Sequence, residues 1–207
     1  FSGGGEDDFG ISVSVSGDVA LVGAYYDDDN GVNSGSAYIF RWDGISNSWE
    51  EEQKLLPDDG AANDNFGQSV SVSGDIALVG AFRNDDLGAD SGSAYIFRWN
   101  GLLWEKKKKL LASDGVAGDE FGKSVSISGN VALIGAKEDD ALGIASGSAY
   151  IFRWDGSSWK EEQKLLASDG ATGDNFGRSV SVSGDVAIVG AFGDDDKGGA
   201  SGAAYIY

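Results

Sequence analysis

Phe9-Gly-Ile-Ser-Val-Ser-Val-Ser-Gly-Asp-Val-Ala-Leu-Val-Gly-Ala24 is the stretch that decides the fold. Ile11, Val13 and Val15 alternate with Ser12, Ser14 and Ser16, and a period of two marks a strand with one apolar face. Ser16-Gly17-Asp18 reads as a hairpin turn, and Val19 to Ala24 is an apolar run suited to a strand covered on both faces. The stretch recurs at Phe66-Gly67, Phe121-Gly122 and Phe176-Gly177, so that the Phe residues stand 57, 55 and 55 positions apart. A period of this size, with one supersecondary unit per repeat, belongs to propellers and repeat arrays.

Working outward, Ala-Tyr-Ile begins 28 residues after each Phe, at Ala37, Ala94, Ala149 and Ala204, inside a tract such as Ser36-Ala-Tyr-Ile-Phe-Arg-Trp42. Its aromatic and β-branched residues predict a third strand. Asp43-Gly44, Asn100-Gly101 and Asp155-Gly156 read as turns into a fourth strand starting at Trp49, Trp104 or Trp159. The fourth strands carry the most charge, which places them at a sheet edge on the rim. Four antiparallel strands make one propeller blade. The expectation is therefore an all-β, β-propeller-type array of four-stranded antiparallel blades, with three full repeats plus an incomplete fourth (9–65, 66–120, 121–175 and 176–207). Residues 1–207 form one domain of a larger propeller, array or assembly. Tyr205-Ile206-Tyr207 is expected to be an edge strand that something external covers.

Composition narrows the chemistry. The net charge is −19, from 34 acidic and 15 basic residues, a surface that repels nucleic acid and anionic lipid and attracts divalent cations. Cys, Met and His are absent, which removes disulfides, thiol nucleophiles and imidazole bases. The missing Met points to a processed or excised chain. No apolar run approaches membrane-spanning length.

The order Phe-Gly, Ser-Val-Ser-Val-Ser-Gly-Asp, Val-Gly-Ala and Gly-Ser-Ala-Tyr-Ile-Phe resembles the FG-GAP repeat, the unit of the integrin α-subunit propeller and of bacterial surface proteins. The resemblance covers essentially the whole chain and implies a propeller at the cell surface. It departs at one place: the Asp-x-Asp-x-Asp-Gly calcium loop common between the first two strands is here only Ser-Gly-Asp, so that site does not carry over.

Acidic residues cluster in two other loops of every repeat. Asp7, Asp64, Asp119 and Asp174 stand two residues before the Phe, and Asp28, Asp85, Asp140 and Asp195 nineteen after it. Asp27, Asp139 and Asp194 stand eighteen after, and Asp59, Asp114 and Asp169 seven before. Antiparallel strands bring both loops to one face, where carboxylates and Gly-rich carbonyls suit Ca²⁺. One Ca²⁺ per repeat is the expectation, weakest in the first, where Ser2 replaces the Asp seven before. The alternative is that Asp and Gly simply make turns and keep the surface soluble.

Other features point less sharply. The Trp pairs suit a lectin, or a cross-strand pair needing no ligand. Arg41, Arg98 and Arg153 suit cation–π or edge ion pairs. Lys106 to Lys109 reads as a solvated rim strand. Gly118-Asp-Glu-Phe-Gly122-Lys123-Ser124 is one residue short of a phosphate loop. There is no Asn-x-Ser/Thr sequon, and no nucleophile paired with a base. A carboxylate pair could hydrolyse glycosides, but an enzyme breaks the symmetry that these repeats keep. The sequence thus points to a non-enzymatic extracellular adhesion or recognition module with Ca²⁺-stabilised loops and a protein or glycan partner at the cell surface. A structural subunit of a filament, self-associating through its open strand edge, is the second reading and a lectin the third; neither nucleic acid nor a membrane span is expected.

Overall fold

A computed structural model describes residues 7–199 and 201–207. The described secondary structure is strand throughout, arranged as four consecutive antiparallel sheets. The first blade is β1 (Ser12–Ser16), β2 (Val19–Ala24), β3 (Ser36–Asp43) and β4 (Ser48–Leu55). The second is β5 (Phe66–Ser73), β6 (Ile76–Ala81), β7 (Ser93–Trp99) and β8 (Trp104–Leu110). The third is β9 (Ser124–Ser128), β10 (Val131–Ala136), β11 (Ser148–Trp154) and β12 (Trp159–Leu165). The fourth holds β13 (Phe176–Ser183), β14 (Val186–Ala191) and β15 (Ala203–Ile206). Within each sheet the strands follow chain order, and β1, β5, β9 and β13 lie next to one another. This is the all-β, propeller-type array expected, with the charged fourth strands outermost.

Apolar layers between successive blades form the core. Between the first and second, Leu21, Ile39 and Leu55 meet Val70, Val72 and Val79; between the second and third, Leu78 and Ile96 meet Val125, Ile127 and Ile134. Each fully buried aliphatic side chain contributes about 1.5–3 kcal/mol, so every blade owes much of its stability to its neighbours. The outer faces of the two end blades show the same residues bare: Val13 is 70% exposed, and Ile188 42%, where the equivalent Leu78 is fully covered.

The Phe-Gly motif is where the blades lock. Phe66 is fully buried, set edge-on to Tyr95 and Phe97 at 5.4 and 6.0 Å between ring centres. Its amide donates to Ser34 O of the preceding blade at 3.0 Å, and Phe176 does the same to Ser146. Gly80, of Val-Gly-Ala, explains itself by contact: a Cβ there would lie 2.0 Å from Gly122 O of the next blade.

The strand serines carry more than the alternation alone indicates. The Ser12 hydroxyl donates to Gly67 O at 2.8 Å, and Ser14 and Ser16 accept from the amides of Val72 and Gly74 at 3.0 Å each. Ser69, Ser71 and Ser73 repeat this toward the third blade. The polar faces of β1, β5 and β9 are thus sets of hooks holding the next blade's backbone.

Candidate functional site

The two acidic loops do meet. The loop entering the first strand accepts a backbone hydrogen bond from the loop joining the second and third strands in every blade: Tyr26 N to Asp7 O, Arg83 N to Asp64 O, Glu138 N to Asp119 O, and Gly193 N to Asp174 O.

In the third blade the carboxylates converge on an ammonium. Lys164 Nζ, from β12, lies 2.7 Å from both Asp114 and Asp139. The Tyr150 hydroxyl reaches the same pair, at 2.8 Å from Asp114 and 3.0 Å from Asp139. Burial works against the Asp114 charge, but the bonds from Lys164 and Tyr150 outweigh it and hold its pKa below the ordinary aspartate value. Burial pushes the Tyr150 hydroxyl well up, and the two carboxylates add to that.

The other blades vary this cage. In the first, Lys54 lies 2.8 Å from Asp27 and 2.6 Å from Asp29, with the Tyr38 hydroxyl donating to Asp27 at 3.1 Å. Ser2, the residue behind the expected weakness of this repeat, lies outside the described residues. In the second, Lys109 lies 2.9 Å from Asp59 and 2.7 Å from Asp86. Burial opposes the Lys54 and Lys109 ammonium groups, yet their carboxylate partners raise both pKa values. Asn84 stands where the other blades have Asp, and it donates to Asp64 at 3.1 Å. The buried Tyr95 hydroxyl, lacking that Asp as acceptor, has no hydrogen-bond partner among the described residues, and burial pushes its pKa up to about 12. In the fourth, Tyr205 bonds Asp169 at 2.5 Å and Asp194 at 3.1 Å, with no lysine between them among the described residues. The neighbouring Asp196 has a raised pKa, chiefly from the charge of Asp194 and then of Asp169.

The remaining candidates shape the loops. Asp64, Asp119 and Asp174 each accept from the amide three residues back, at 2.7 to 3.0 Å, and burial raises the pKa of Asp64 and Asp119. Asp28, Asp85 and Asp140 accept from the amides of Asn33, Asp90 and Ala145 at 2.7, 2.8 and 2.7 Å. The matching donor for Asp195 would be Ala200, outside the described residues. These loops reach the next blade: Asn175 N donates to Ala145 O at 3.0 Å. Asp140 therefore turns into its own loop, while Asp114 and Asp139 share one centre with Lys164.

The residues that sequence reasoning missed are the lysines. Lys54, Lys109 and Lys164 each precede Leu, and Lys109 belongs to the run expected to be a solvated rim. For Lys109 that expectation is corrected, since its side chain is 13% exposed and sits in its cage, and Lys106 pairs with Asp58, while Lys107 and Lys108 are exposed on the rim strand. Solvated carboxylates with nothing between them repel, so a basic residue at a fixed offset on the adjacent strand is the signal that could have found it. In the first three blades the donor set suits an ammonium. Among the described residues no three Asp, Glu, His or Cys side chains gather as a metal site requires.

At the opposite end of the blades the Trp pairs face each other across the hairpins, Trp42 with Trp49, Trp99 with Trp104, and Trp154 with Trp159. Ring centres are 5.7 to 6.1 Å apart, the cross-strand pairing that asks for no ligand. Arg41 lies 5.0 Å over Trp99 of the next blade and pairs with Glu52.

Fold and site together define a β-propeller-type repeat protein whose acidic loops are neutralised by lysines in the first three blades. The chain belongs to the FG-GAP repeat family, which matches residues 2–40, 49–97, 104–152 and 159–207. Each long match takes the outer strand of one blade and three strands of the next. Among solved structures, the crystal structure of Saccharomyces cerevisiae Sqt1 is similar in fold, with a TM-score of 0.53 at 9% identity over 91% of this chain. This chain spans 44% of that one. No curated protein matches the sequence. Among the described residues no helix is long and apolar enough to cross a membrane.

Proposed function

We propose that the chain is a non-enzymatic, extracellular recognition module that binds a protein or glycan at the cell surface through its acidic loop face. The observation carrying this reading is that four equivalent loops are held in one geometry, three of them by Lys54, Lys109 and Lys164, while further carboxylates stay at the surface. A preorganised surface loses little entropy on binding. Family membership supports the surface setting, since the resemblance is to adhesion propellers.

Calcium enters the reading at one place, the fourth blade, where Asp169 and Asp194 meet at Tyr205 without a lysine. Binding of the labelled chain to a cell layer, at two salt concentrations, tests the proposal. Saturable binding that weakens with salt supports an acidic interface; no saturable binding to cells or to immobilised surface glycans overturns it.

A second reading has its own observation. Val186 and Ile188, 50% and 42% exposed, match Ile76 and Leu78, which a following blade covers, while Val13 and Val15 match residues that a preceding blade covers. The two faces are complementary, so copies of the chain can stack head to tail. Sedimentation at rising concentration tests this: growth that Ile188→Lys abolishes supports stacking, and a monomer throughout ends it.

A further inference from the structure

We propose that the groove between the second and third blades, on the outer rim away from the acidic loops, binds a single carboxylated sugar ring of the uronate class. The inference comes from comparing two junctions built from the same repeat. Between the first and second blades, Glu52 sits at the β-bulge of β4, which aims its side chain at the neighbouring blade. Its carboxylate accepts from Arg41 Nε at 2.6 Å, from Arg41 Nη2 at 3.0 Å and from the Trp104 indole N–H at 2.9 Å. Gln53 closes the gap, donating to Trp104 O at 2.9 Å and accepting from the Trp104 amide at 2.7 Å.

At the next junction the bulge residue is Lys107, and Lys108 replaces Gln53. A lysine ammonium donates and cannot accept. Arg98 and the two N–H groups of Trp159 therefore lose the acceptors that Arg41 and Trp104 have, and Arg98 turns its Nε to Asp75 at 2.8 Å. A groove of about 240 Å³ opens here, floored by Ile76 and Ile96 and walled by the Trp154–Trp159 pair. Arg98, Lys107 and Lys108 bring positive charge to it, offset in part where Arg98 meets Asp75 and Lys107 meets Glu105, on a chain whose net charge is −19.

The groove asks for a carboxylate where Glu52 places one in the first junction, between a guanidinium fork and an indole N–H. Its size is below the roughly 300–1,000 Å³ of sites for drug-sized ligands, which limits the body to about one ring. Indole walls suit the C–H face of a pyranose, and Ser157 and Ser158 line the same groove; the Ser157 hydroxyl donates to Asp155 at 2.7 Å and keeps its lone pairs to accept from ring hydroxyls. The site is independent of the loop-face reading, and its failure would leave that reading untouched.

Titrating the chain with D-glucuronate, D-glucose and acetate by calorimetry or tryptophan fluorescence tests the site. The expected result is one glucuronate per chain, bound at least tenfold more tightly than glucose or acetate. The double variant K107E/K108Q installs the first junction's own clamp, so it should fold and lose the binding at least tenfold. The reverse variant E52K/Q53K should raise the count from one to two. Absence of saturable glucuronate binding, equal binding of glucose or acetate, retention in K107E/K108Q, or a count that stays at one in E52K/Q53K would each overturn the proposal.

Discussion

The Lys164 ammonium lies 2.7 Å from the Asp139 carboxylate, joining the outer strand of the third blade to a loop 25 residues earlier in the chain. Asp139 is 4% exposed, and its carboxylate is held by this ammonium, the Tyr150 hydroxyl and the Ala141 amide. Replacing Lys164 by Met should cost about 2–4 kcal/mol, because it strands a buried carboxylate, and Lys164→Arg should recover part of the loss. Urea unfolding measures it; a loss below about 0.5 kcal/mol would mean that the pair behaves as an exposed one.

Gly80 and Gly74 should respond very differently to one added methyl group. A Cβ on Gly80 would lie 2.0 Å from Gly122 O, a backbone atom that cannot swing aside, whereas a Cβ on Gly74 meets nothing within 4 Å. Gly80→Ala should cost about 3 kcal/mol or more by forcing the second and third blades apart. Gly74→Ala, at φ +58°, should cost only about 1 kcal/mol of turn strain. Thermal melts of the two variants compare them, and equal losses would contradict the close approach.

Ser71 accepts from the Ile127 amide of the next blade at 3.1 Å. Its replacement by Ala leaves that amide without its acceptor and should destabilise the chain by about 1–2 kcal/mol. Hydrogen exchange at Ile127 should quicken in the variant; unchanged protection would show that the hook is dispensable.

Asp114 and Asp119 should titrate on opposite sides of an ordinary aspartate. The Asp114 pKa is lowered, its burial outweighed by bonds from Lys164 and Tyr150, so its stabilising contribution is complete above about pH 4 and is lost as pH falls through the lowered value. The Asp119 pKa is raised by burial first, so its charge costs stability at neutral pH and the cost is relieved as pH falls through the raised value. Carboxyl-carbon NMR titration reads both, and shifts to the same side would refute the cage.

The strands were legible because Ile11 to Ser16 and Val19 to Ala24 carry their periodicity locally. The meeting of the acidic loops was legible too, from offsets and strand direction. What fills the space between Asp114 and Asp139 was not, since Lys164 arrives from 50 residues beyond Asp114 on a strand whose charges look solvated. The serine hooks were hidden for a similar reason: alternation tells which face Ser71 occupies, and only the neighbouring blade tells what it holds. The groove beside Trp159 needed the comparison of Glu52 with Lys107, two bulge residues whose equivalence is set by strand register.

Counting bound calcium tests most directly the claim that lysines neutralise the acidic loops. Equilibrium dialysis of the native chain should find at most one ion per chain, and none once Asp194 is replaced by Asn, because among the described residues only the fourth blade brings carboxylates together without an ammonium. Three or four ions per chain, one for each acidic cluster, would contradict the account.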